Sequence, residues 1–195
     1  MNLSFSFVFS YLCSMKICVF CSANWQIDRS YFFRTEALAR WAAHEGHTIV
    51  YGGAAMGLME CLAKTMHEEG GRTVGVVPQI LTRNGNQSQY IDVEVPCDNL
   101  NDRKQLMQDM SDVFVALPGG LGTLDEIFTV AAAATIGYHQ KPVILYNMDG
   151  FWDSLIQMLD DLHARGVTRK DWHSYIKVAA SLEELKSLLC EVLPE

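Results

Sequence analysis

The chain has 195 residues, a length that suits one domain, and 49% of them are hydrophobic, ample for a single buried core. Only 19% are charged, which excludes a disordered or coiled-coil chain. The formal net charge of -8 argues against a protein that grips polymeric nucleic acid through a basic surface, but a small anion needs only a local cluster of donors.

Leu3–Leu12 is apolar and rich in Ser and Phe, with no basic residue before it and no small-residue cleavage site after it. It is also too short to span a bilayer. Met15-Lys16 then opens a conventional strand, so residues 1–14 read as a dispensable extension and 15–195 as one domain. With neither leader nor membrane segment recognised, a cytoplasmic protein is expected.

From Lys16 onward, apolar runs alternate with helical stretches. The pattern predicts strands at Lys16–Cys21, Thr48–Tyr51, Thr73–Val77, Tyr90–Val95, Val113–Leu117, Val143–Tyr146 and Ile176–Val178. Helices are predicted at Ser30–Glu45, Met56–Glu69, Asn101–Met110, Thr123–Ile136, Phe151–Arg165 and Leu182–Leu189, with Gly46 and Gly70-Gly71 as stops. Thr82–Gln89 offers little to bury and is expected to be an exposed loop. There is no internal repeat, linker or low-complexity segment. Near-continuous apolar strands alternating with helices imply an open parallel sheet covered on both faces, the doubly wound, Rossmann-like α/β class.

The six cysteines are Cys13, Cys18, Cys21, Cys61, Cys97 and Cys190. Cys18-x-x-Cys21 lies inside an apolar run rather than at a helix start, and no second pair stands at zinc-site spacing. Buried free thiols in a reducing compartment are the expectation. His44, His47, His67, His139, His163 and His173 form no ligand motif, so no metal is expected.

In open parallel sheets, ligands sit outside the carboxyl ends of the strands. Three strands here end in small-residue turns that lead to a helix: Ser22-Ala23-Asn24, Gly52-Gly53-Ala54-Ala55-Met56-Gly57 and Pro118-Gly119-Gly120-Leu121-Gly122-Thr123. Glycine lets a backbone approach a ligand closely, and a helix start offers free N–H groups and a positive dipole end. Glycine turns also serve merely to pack a helix on a strand. The third turn is neither a P-loop nor a dinucleotide fingerprint, so a single phosphate is its natural guest.

Thr123-Leu124-Asp125-Glu126 supports two readings. Thr followed three residues later by Glu is a capping box. The same spacing also places Glu126 beside the sugar of a bound phosphate ester, kept ionised by the dipole. Arg103-Lys104, at the start of the preceding helix, is either a solvated basic face or a recognition pair, for which Arg is well suited.

Together these residues resemble the Lonely Guy family, the cytokinin riboside 5′-monophosphate phosphoribohydrolases, once taken for lysine decarboxylases. The pattern P-G-G-x-G-T-x-x-E is complete from Pro118 to Glu126, an R-K pair matches Arg103-Lys104, and Gly52–Glu60 is similar to G-G-G-x-x-G-L-M-G. The likeness runs from Met15 to about Leu189 and takes in Gly137–Pro142. Departures are Ala54 and Glu60 at glycine positions, Cys21-Ser22-Ala23-Asn24 in place of C-G-S-S in the first turn, Leu100 where a Met is common, and Ala131–Ala134 where relatives are often Trp-rich. The Thr82–Gln89 loop also lacks a carboxylate found in many relatives.

The resemblance implies hydrolysis of a nucleoside monophosphate, AMP or a prenylated relative, to base and ribose 5-phosphate, with Arg103 and Glu126 catalytic. Taken with the three turns, it makes Ser22, Gly52, Gly53, Arg103, Lys104, Gly119, Gly120, Leu121, Gly122, Thr123, Leu124 and Asp125 the expected substrate-binding set. No cofactor is implied, and relatives form homodimers. The apolar positions Ile127, Phe128, Val130, Ala131–Ala134 and Ile136 are either covered within the chain or shared with a twin subunit. Two rivals remain at this stage. One is a nucleotide carrier without catalysis. The other is a pyridoxal-phosphate decarboxylase, which would need a Schiff-base lysine.

Overall fold

The computed structural model describes residues 14–192, so residues 1–13 of the extension, Cys13 among them, lie outside the described residues. Seven strands form one sheet in the order β4-β3-β2-β1-β5-β6-β7, with every pairing parallel. They are β1 Lys16–Phe20, β2 Thr48–Tyr51, β3 Arg72–Pro78, β4 Val93–Cys97, β5 Val113–Ala116, β6 Val143–Tyr146 and β7 Ile176–Ala179. The helices are α1 Arg29–His44, α2 Gly57–Glu68, α3 Gln79–Arg83, α4 Leu100–Asp109, α5 Leu121–Thr135, α6 Asp153–Ala164 and α7 Leu182–Val192.

The strands alternate their apolar side chains between two cores, one on each face. Ile17 and Val19 of β1 join Leu38 of α1, Leu62 of α2 and Leu189 of α7 on one face. Cys18 and Phe20 join Met107 of α4, Ile127 of α5 and Leu159 of α6 on the other. Each such fully buried aliphatic or aromatic side chain contributes about 1.5–3 kcal/mol through its loss of water contact. The same alternation sends Cys18 and Cys21 into opposite cores, so this pair can neither bridge nor share a ligand. Burial pushes both thiols well up from their ordinary value.

Strand order reverses direction at β1, whose neighbours are β2 and β5. The reversal opens a crevice at the carboxyl ends of β1 and β5. It also places α4, which leads into β5, and α5, which leaves it, together on one face.

Three expectations need correction. Strand β4 begins at Val93 rather than Tyr90, because the Asp92 carboxylate takes the Thr73 N–H at 2.7 Å and the Tyr90 carbonyl takes the Thr73 hydroxyl. Side-chain bonds there occupy the place of a ladder. The Thr82–Gln89 segment is exposed over most of its length, as expected, but it begins inside α3 and is tied down: the Asn86 carbonyl accepts from Ala55, and the buried Ser88 donates its N–H to the Gly53 carbonyl. Lastly, α5 starts at Leu121 with Gly120 as its N-cap and no side-chain cap bond. Thr123 and Glu126 are therefore interior residues of the helix, and the capping box does not form.

The apolar face of α5 is also divided. Ile127, Val130, Ala131 and Ala134 are buried within the chain's own core, while Phe128, Ala132 and Ile136 stay exposed.

Candidate functional site

Backbone bonds from one residue join the three turns. The Ser22 N–H donates to the Pro118 carbonyl at 3.0 Å, and the Ser22 carbonyl accepts from Leu58 N–H at 2.9 Å, at the start of α2. Gly57 makes this junction possible. Its φ is +57°, and a Cβ there would lie 2.5 Å from Asn24 N and 2.7 Å from the Ser22 oxygen.

A cavity of about 260 Å³ occupies the crevice at the ends of β1 and β5. Among the expected residues, Ser22, Gly119 and Gly120 line it; Asn24, Ile27, Tyr31 and Phe151 complete it. Asn24 belongs to the first of the three turns, whereas Ile27, Tyr31 and Phe151 were missed. Tyr31 looks like an ordinary helix residue, and Phe151 arrives from the turn after β6. Their rings meet edge to face at 5.7 Å between centroids, a contact invisible in either local pattern.

The phosphate-type turn keeps its free donors. The first helical bond of α5 runs from Leu124 N–H to the Gly120 carbonyl at 3.0 Å, so Leu121, Gly122 and Thr123 have no carbonyl one turn behind them. Their N–H groups and the positive dipole end suit an anion. Gly119 makes room for the buried Thr123, whose Oγ1 lies 2.1 Å from where a Cβ would stand.

Arg103 and Glu126 meet behind this turn. Asn99 caps α4 by accepting from the N–H groups of Asn101 and Asp102, which fixes Arg103 in the first turn. From there Arg103 Nε donates to the Val76 carbonyl at 3.2 Å and Nη1 to Glu126 Oε1 at 3.3 Å. Their side chains are only 12% and 7% exposed, so the pair is shielded from water. Burial pushes the Glu126 carboxyl up to about 7; the Arg103 charge opposes the rise, Asp125 adds to it, and Lys104 again opposes it. The expectation that the helix dipole would keep Glu126 fully ionised is therefore overturned. The dipole's effect falls off within the first turn, and Glu126 lies beyond it.

Lys104 Nζ holds both oxygens of Asp125, at 2.8 and 2.9 Å, forming an outer ion pair beside the buried one. Leu124 is half-buried against the core beneath α4 and α6. Gly53 is occupied with packing: its carbonyl accepts from Ser88, and a Cβ would strike Val77. Two histidines have structural bonds, His47 accepting from Met15 N–H and His139 from Lys141 N–H. Among the described residues no group of three or more His, Cys, Asp or Glu side chains could hold a metal ion, and no helix is long and apolar enough to cross a membrane.

A family model described as possible lysine decarboxylase matches residues 59–189. Cytokinin riboside 5′-monophosphate phosphoribohydrolase LOG2 of Arabidopsis thaliana is 32% identical over 180 residues, covering 92% of this chain and 84% of that protein. The LOG phosphoribohydrolase of Oryza sativa subsp. japonica is 33% identical over 180 residues, covering 92% of this chain and 74% of that protein. Among solved structures, the molybdenum cofactor carrier protein of Chlamydomonas reinhardtii superposes with a TM-score of 0.73 at 22% identity, covering 93% of this chain and 99% of that one, a likeness of fold. This chain belongs to the Lonely Guy (LOG) family, which the matching model still describes by its older decarboxylase label.

Proposed function

We propose that this member of a phosphoribohydrolase family hydrolyses the N-glycosidic bond of a nucleoside 5′-monophosphate, AMP or a cytokinin riboside monophosphate, releasing the free base and ribose 5-phosphate. The buried Arg103–Glu126 pair behind a free helix N-terminus carries this reading.

The 5′-phosphate is held by the N–H groups of Leu121, Gly122 and Thr123, with Ser22, Gly119 and Gly120 around it. Binding energy gained at the phosphate fixes the ribose for the bond-breaking step. As C1′ separates from the base nitrogen, positive charge grows on the ribose ring. The Glu126 carboxylate stabilises that charge and orients the water whose oxygen bonds to C1′. The bonding electrons leave with the base, which takes up the proton that the attacking water gives up on bonding to C1′. Arg103 stays charged throughout, so it orients Glu126 and the substrate rather than donating the proton. Lys104 and Asp125 flank the pair and adjust its field.

A pure carrier has no use for a carboxylate buried beside an anion site, where it opposes binding. Nothing supports a Schiff-base role for the three lysines weighed for the decarboxylase reading: Lys104 is paired with Asp125, Lys141 Nζ donates to the Gln108 carbonyl, and Lys64 pairs with Glu68. Residues 15–195 act as one catalytic domain, supported by a single sheet that draws strands from Lys16 to Ala179. A cytoplasmic location fits five unpaired cysteines among the described residues. A homodimer fits the exposed Phe128, Ala132 and Ile136 on α5. Chromatography of AMP and related nucleotides after incubation with the protein tests the activity. Bound but intact nucleotides across a broad panel would replace the hydrolase with a carrier.

A further inference from the structure

Resting on the catalytic reading of Arg103 and Glu126, we propose that Gly52 is a positioning residue: the space left by its missing side chain is the slot that holds the Arg103 guanidinium. A Cβ at Gly52 would lie 1.6 Å from Arg103 Nη2 and 2.9 Å from Cζ, far inside any tolerable contact. Met59 Sδ, at 3.2 Å, closes the slot from α2 and can give way. The backbone does not demand glycine here, because Gly52 is absent from the positive-φ residues that include Gly53 and Gly57. Room for another side chain is what the position supplies.

The three guanidinium nitrogens are thereby assigned separate neighbours. Nε donates to the Val76 carbonyl at the end of β3, Nη1 donates to Glu126, and Nη2 lies against Gly52 at the end of β2. Filling the slot leaves the first two bonds with no common solution, since the guanidinium is planar and rigid. Gly52 thus acts on the reaction through Arg103, with no need to touch the nucleotide.

The consequence is readable at Glu126. The charged and titratable groups around it are Arg103 and Lys104 from α4, Asp125 from α5, the Cys18 thiol of β1 and the Cys21 thiol just beyond that strand. Arg103 is the strongest influence holding the Glu126 carboxyl down against burial. Displacing it raises that carboxyl further.

The test uses the full chain and the variants Gly52→Ala, Arg103→Ala and their combination. Gly52→Ala is expected to lower AMP turnover about a hundredfold, the scale of one electrostatic catalytic group. It should also move the Glu126 carboxyl titration, followed by carbon-13 NMR, to higher pH. Combined with Arg103→Ala, the same alanine should leave the Glu126 titration and the melting temperature as Arg103→Ala alone sets them, because the clash is gone. If Gly52→Ala does not fold but the combination does, the slot is equally supported. An unshifted Glu126 titration in Gly52→Ala, an equal penalty with and without Arg103, or failure of both variants to fold would overturn the proposal. A wild-type protein that leaves AMP intact removes the hydrolase reading, while the titration and folding comparisons still decide the role of Gly52.

Discussion

Arg103 Nη1 and Glu126 Oε1 face each other at 3.3 Å, in a pocket that leaves both side chains nearly shut off from water. A buried pair of this kind contributes little net stability, because desolvation offsets much of the attraction. Under the proposed hydrolysis its value lies in chemistry. Burial holds Glu126 near neutrality, and Arg103 keeps the charged form within reach.

The first prediction concerns pH and activity. With its carboxyl raised to about 7, Glu126 gains its charge as pH rises through that value. If the carboxylate is the working form, kcat/KM for AMP should climb tenfold per pH unit below about 7 and level off above it. A rate that falls as pH rises through 7 would instead make Glu126 a proton donor.

The same shift has a thermodynamic signature of fixed sign. A carboxyl whose folded pKa lies above its unfolded value stabilises the fold below the unfolded value, and that contribution is lost as pH rises through the folded one. The move from 4.5 to about 7 corresponds to a loss on the order of 3 kcal/mol across that window. Glu126→Gln should lack this slope, as measured by chemical denaturation at several pH values. A slope that survives the substitution would assign it to other groups.

Much of the architecture was legible in the sequence because the strands are apolar without interruption and glycines follow the helices. The start of β4 was not, since Asp92 supplies a side-chain bond where periodicity predicts a ladder. The Thr123–Glu126 spacing on its own favours a capping box over a site helix. The early helix start at Leu121, with Gly120 as N-cap, is what rules the capping box out. The Glu126 environment was hidden for another reason: it depends on α4 lying beside α5, a consequence of the strand order rather than of either helix. The cavity wall of Tyr31 and Phe151 was hidden likewise.

Gly122 distinguishes fold from function within the motif. It lies inside α5, where a Cβ would meet nothing within 4 Å. Gly122→Ala in this first turn should therefore be accepted by the fold and stabilise it by no more than about 0.5–1 kcal/mol, the cost of a mid-helix glycine. If the phosphate approaches this backbone, AMP binding should weaken at the same time. Unchanged affinity, measured by calorimetry, would place the phosphate elsewhere.

Phosphate dependence follows from the free donors of Leu121, Gly122 and Thr123. Charge-assisted hydrogen bonds contribute about 1.5–3 kcal/mol each, so losing even one costs tenfold or more. Adenosine should be hydrolysed at least tenfold less efficiently than AMP when both are assayed side by side. Equal turnover would remove the phosphate from the account.

The central claim is that Glu126 works on the ribosyl bond, and one comparison tests it most directly: release of ribose 5-phosphate from AMP by the wild-type protein and by Glu126→Gln. Glutamine keeps the size of the side chain and an acceptor for Arg103 Nη1. The account predicts a folded variant that still binds AMP and turns it over about a hundredfold more slowly, or worse. A folded Glu126→Gln protein that releases ribose 5-phosphate at the wild-type rate would contradict it.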